Sequence, residues 1–70
     1  MITLAYPENR QRDAHEAAEI LTTYGFAVSL VAGIVVGGQY LYVFDVRESI
    51  SGLNPIAVTA DHCVAPRYVL

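Results

Sequence analysis

The chain has 70 residues, enough for one domain spanning 1–70. A domain of that size buries only about 60% of the surface its unfolded chain exposes, so some further source of burial is expected. Apolar residues make up 54% and charged ones 16%, with a net charge of −3 and no lysine. That balance argues against disorder and against direct nucleic-acid binding.

The four cations, Arg10, Arg12, Arg47 and Arg67, are scattered rather than clustered. The single cysteine, Cys63, rules out an intramolecular disulfide and fits a reducing compartment. The N-terminal run lacks a basic n-region and a cleavage site, so the expected location is the cytoplasm. With neither a disulfide nor an evident metal set, self-association or a partner is the expected source of extra burial.

Ile2 to Tyr6 alternates and stops at Pro7, which reads as a short strand. Asn9 and Asp13 both qualify as helix N-caps, and Asp13 has Glu16 at capping-box spacing. Ala14, Ala17, Ala18, Leu21 and Tyr24 then recur at helical spacing, with Glu16, Glu19 and Thr23 on the other side. Gly25 follows as a C-terminal cap, with Phe26 placed for the apolar contact beyond it.

From Phe26 to Val46 the chain turns β-branched and aromatic, interrupted by Gly37-Gly38, a two-residue hairpin signal. Two strands, about 26–36 and 39–46, are expected to pair around it, with a bulge or bend at Gly33. A turn and one helical turn are expected over 47–54, then strands at Ile56–Thr59 and Arg67–Leu70.

The charge-free run 26–44 also has the length of a membrane span. This gives a second reading, a small single-pass membrane protein. The Gly-Gly-Gln centre favours the hairpin, because a simple span has no need of it.

Asp61-His62-Cys63 places an acid, a base and a nucleophile side by side. Adjacent residues diverge, whereas a catalytic set must converge on one point, so no catalytic residue is assigned. His15 and Glu19 lie one helical turn apart, but the second histidine of a zinc-protease motif is missing. A small thiol- or metal-dependent enzyme built from His15, Glu19, His62 and Cys63 is the third reading. The glycines match no phosphate loop, and no cofactor or metal is expected.

The hairpin register is more informative. With Val36 opposite Gln39, Val35 faces Tyr40, Gly33 faces Tyr42, and Val31 faces Phe44. One sheet face then carries Tyr40, Tyr42, Phe44, Val35 and Val31. The other carries Ile34, Ala32, Leu30, Val28 and Phe26 with Leu41 and Val43. A single helix covers one face, and the aliphatic one is expected to be covered. That leaves Tyr40, Tyr42, Phe44, Val35 and Val31 as the expected partner-binding face, since tyrosine is enriched at interfaces.

The expected fold is α+β: a small antiparallel sheet of three to five strands in β-α-β-β-β order, with one helix on one face. The expected function is non-catalytic binding of a protein partner, with a homodimer as the expected form. In size and charge the chain is similar to small inhibitors and adaptors that phages encode against bacterial defence, anti-CRISPR proteins among them, although no motif is shared.

Overall fold

A computed structural model describes residues 1–47 and 52–70. The expected turn and helical turn over 47–54 therefore fall partly outside the described residues. The chain runs β1 (Ile2–Pro7), a 3-10 turn (Glu8–Arg10), α1 (Gln11–Thr23), β2 (Ala27–Val28), β3 (Ala32–Val36), β4 (Gln39–Arg47), α2 (Pro55–Asp61) and β5 (Tyr68–Val69). It is an α+β fold with an antiparallel five-stranded sheet.

β4 is the spine of the sheet. On one side it pairs with β1 in the register Ile2↔Val46, Leu4↔Phe44 and Tyr6↔Tyr42. On the other it pairs with β2 and with β3. β5 extends the sheet beyond β1 through Leu4↔Val69 and Ala5↔Tyr68.

Helix α1 buries Ala14, Ala17 and Leu21 of the expected apolar stripe, with Ala18 half-buried and Tyr24, its last member, exposed. Neither Asn9 nor Asp13 caps it. The 3-10 turn leads straight in, and Asp13 instead accepts a hydrogen bond from Arg10 Nε at 2.8 Å. The C-terminus closes as expected: Gly25 adopts φ 94°, the Phe26 N–H reaches the Leu21 carbonyl, and the Gly25 N–H reaches the Thr22 carbonyl. This is a Schellman motif, and it drops Phe26 into the core.

The expected strand at Ile56–Thr59 is instead part of helix α2. The Asn54 side chain accepts from the Ile56 and Ala57 N–H groups, and Pro55 occupies the first turn, where its missing N–H costs nothing. Local capping thus overrides the β-branched preference of Ile56, Val58 and Thr59. α2 buries Pro55, Val58 and Thr59.

The helix-side core joins Leu4, Tyr6, Leu21, Phe26, Phe44 and Val46 with Val58 and Val64. The large side chains of β1, Leu4 and Tyr6, decide which sheet face the helices cover. Ala5, between them, points to the thinner side. Because Leu4 pairs with Phe44, the face carrying Phe44 and Val46 is the covered one.

Candidate interaction surface

The hairpin register matches the one set by Gly37-Gly38: Val36↔Gln39, Val35↔Tyr40, Ile34↔Leu41 and Gly33↔Tyr42. Both turn glycines have positive φ, 56° and 78°, as a type I′ turn requires. The assignment of the covered face is reversed, however. Phe44 is 1% exposed and stacks on Tyr6 with ring centroids 6.0 Å apart, under the helices. Tyr42 and Val31 are half-buried against the same core.

The aromatic face is therefore split rather than left open. Its base enters the core, and its outer end, Tyr40 and Val35, lies exposed. The face opposite the helices carries Ala5, Leu41, Val43, Ile34 and Tyr68 instead, with Ala5 and Leu41 themselves buried.

A bulge contributes to this reversal. β2 pairs as Val28↔Val46, whereas β3 pairs as Ala32↔Val43, so Leu30 and Val31 together oppose Phe44. One extra residue shifts every side chain before it to the other face, which brings Val28 onto the core. The Ser29 N–H donates to the Asp45 carbonyl at 3.0 Å, and the Asp45 N–H donates to Ser29 Oγ at 2.8 Å. The bend expected at Gly33 thus falls at Ser29–Val31, and Leu30 points out with 91% exposure.

Gly33 has a different role. The Tyr40 ring crosses over it, so that the phenol oxygen occupies the space a β-carbon would need. Tyr40 also meets Tyr42 edge-on, with centroids 5.3 Å apart. The outer hairpin is an aromatic clasp, and the run from Phe26 to Phe44 carries no charge. Val35, Val36 and Tyr40 remain 67%, 45% and 40% exposed at its end.

Lengths available in the sequence could have indicated this. A 13-residue helix is roughly 20 Å long and a nine-residue strand about 30 Å, so α1 leaves part of β4 uncovered.

Of the other candidates, Glu19 and His62 line one shallow pocket beside Tyr24, while His15 and Cys63 lie outside that lining. Asp61 ends α2, and His62 follows as its C-cap, its Nε2 3.1 Å from the Tyr24 hydroxyl. Cys63 is exposed in the left-handed region, at φ 61°. His15 and Glu19 lie exposed on α1. Among the described residues no three His, Cys, Asp or Glu side chains gather where a metal could be held.

The run 26–44 forms β2, β3 and much of β4 rather than a helix. Among the described residues no helix is long and apolar enough to cross a membrane.

Compared with known proteins, the chain matches no family model, no curated protein and no solved structure.

Proposed function

We propose that the chain is a non-catalytic protein-binding module that docks through the outer end of the β3–β4 hairpin. A small acidic inhibitor or adaptor, of the kind phages and mobile elements encode, fits this description. The observation that carries the reading is the exposure of Val35, Val36 and Tyr40 on an uncharged hairpin. The fold leaves these apolar groups in water although it buries Leu4, Leu21 and Phe44 fully or nearly so. Val35 and Tyr40 are paired on one sheet face and Val36 lies on the other. Exposed apolar surface marks contact sites, and aromatic anchors with few charges characterise interface cores.

A photo-crosslinking amino acid at position 35, with a control at Glu16 on the exposed side of α1, tests the proposal. Crosslinks to a protein from position 35 and none from position 16 are expected. Crosslinks confined to position 16 would place docking on the helix and overturn the hairpin reading.

A further inference from the structure

We infer that the hairpin's docking partner is a second copy of this chain, paired strand to strand along the free edge of β3 about a two-fold axis at Ile34. This deepens the proposed binding role and rests on it. The two ends of the sheet are treated differently. β5 is two residues long and is flanked by Pro66 and Arg67, which blunt that edge. The five-residue β3 edge carries no proline and no charge, and among the described residues β3 pairs only with β4.

The two-residue turn makes Val36–Gln39 the closing hydrogen-bonded pair. Alternation along the ladder then leaves Gly33 and Val35 with their N–H and C=O groups pointing away from β4. An antiparallel copy centred on Ile34 sets Gly33 opposite the second copy's Val35, and Val35 opposite its Gly33. Each such pair exchanges two hydrogen bonds, so every outward group at these positions is satisfied by its own counterpart.

The side chains agree with this register. Each exposed Val35 comes to rest beside the Tyr40 ring that lies over the other copy's Gly33. The same register brings the glycine turn of one copy alongside the exposed Leu30 of the other. Two chains of net charge −3 meet here only through uncharged segments, so no like charges are brought together. The β5 edges are blunted, so the pairing closes at two copies rather than growing into a filament.

Sedimentation velocity of the parent, beside synthetic protein N-methylated at the Val35 amide, tests the inference. N-methylation blocks the outward N–H while keeping the side chain and the pairing with β4. A parent dimer at high-micromolar concentration is expected. In the N-methylated protein the dimer should dissociate about 30-fold more readily, with native circular dichroism, because two of the four hydrogen bonds are lost.

A parent that stays monomeric would overturn the inference. So would a dimer indifferent to N-methylation. Crosslinking from position 35 to a different protein would leave the binding role standing while the two-fold pairing fails.

Discussion

The Tyr6 hydroxyl donates a hydrogen bond to the carbonyl of Val64, 58 residues further along the chain, and both residues are buried. Arg10 reinforces the link: its guanidinium lies 5.2 Å from the Tyr6 ring centre and donates to the Ala65 carbonyl at 2.9 Å. These bonds fasten the segment after α2 to β1. Tyr6→Phe removes the donor and strands a buried carbonyl, so stability in urea should fall by about 1–3 kcal/mol. Burial also raises the Tyr6 phenol well above its ordinary value of 10.0, a rise that the Arg10 charge partly offsets. Above pH 10 the unfolded chain therefore releases this proton while the folded one keeps it, and stability falls as pH rises. Tyr6→Phe should reduce that alkaline slope. An unchanged slope would mean that other groups set it.

Cys63 occupies a position that glycine usually fills. The Val64 N–H reaches the Thr59 carbonyl and the Cys63 N–H reaches the Ala60 carbonyl, a Schellman motif with Cys63 at φ 61°. A β-carbon in the left-handed region is strained, and the exposed thiol gains little packing in return. Cys63→Gly should raise the midpoint of thermal unfolding, corresponding to roughly 0.5–1 kcal/mol. A lower midpoint would show that the thiol contributes contacts outweighing the strain.

Leu21 is fully buried at the centre of the α1 stripe, among the core residues that include Phe44 and Val46. Leu21→Asp places an unpaired carboxylate there and should leave the chain unfolded by circular dichroism. Glu16→Gln, on the exposed side of the same helix, should change stability by less than about 0.5 kcal/mol. A folded Leu21→Asp protein would mean that another face of α1 meets the sheet.

These features differ in how far the sequence reveals them. The α1 stripe, its Gly25 cap and the Gly37-Gly38 register depend on residues within a few positions of one another, so pattern alone exposes them. The covered sheet face depends on β1 pairing with β4 across some forty residues, and on an inserted residue whose only local sign is an exposed Leu30. Carrying the hairpin register straight through that insertion sets Val28 and Phe26 on the face of Leu41 and Val43. Both do pack under the helices, but with Phe44 and Val46. α2 is hidden in the sequence because Ile56, Val58 and Thr59 look like a strand, and only the Asn54 cap with Pro55 in the first turn marks a helix. Tyr40 and Val35 are exposed as the register implies, whereas Phe44 is buried because it pairs with Leu4 beneath the helices.

Leu30 is the residue whose removal would best separate fold from interaction. Together with Val31 it opposes Phe44, while Val28↔Val46 on one side and Ala32↔Val43 on the other pair regularly. Deleting Leu30 leaves Val31 alone opposite Phe44 and closes the ladder without moving Val28 from the core. Its side chain is almost wholly in water, so no core burial is lost. The deletion should therefore change unfolding free energy by no more than about 1 kcal/mol in either direction. Deleting Val43 from β4 offers the contrast, because it turns one end of that strand over and exposes either Phe44 and Val46 or the hairpin aromatics. That protein should not fold. A bulge also bends and twists its strand, so its removal re-aims the hairpin relative to α1. The Leu30 deletion should consequently keep native circular dichroism yet crosslink less efficiently from position 35. Unfolding as severe as that of the Val43 deletion would show that the fold itself requires the inserted residue, and crosslinking at the parent's level would show that the bulge does not set the direction of the docking surface.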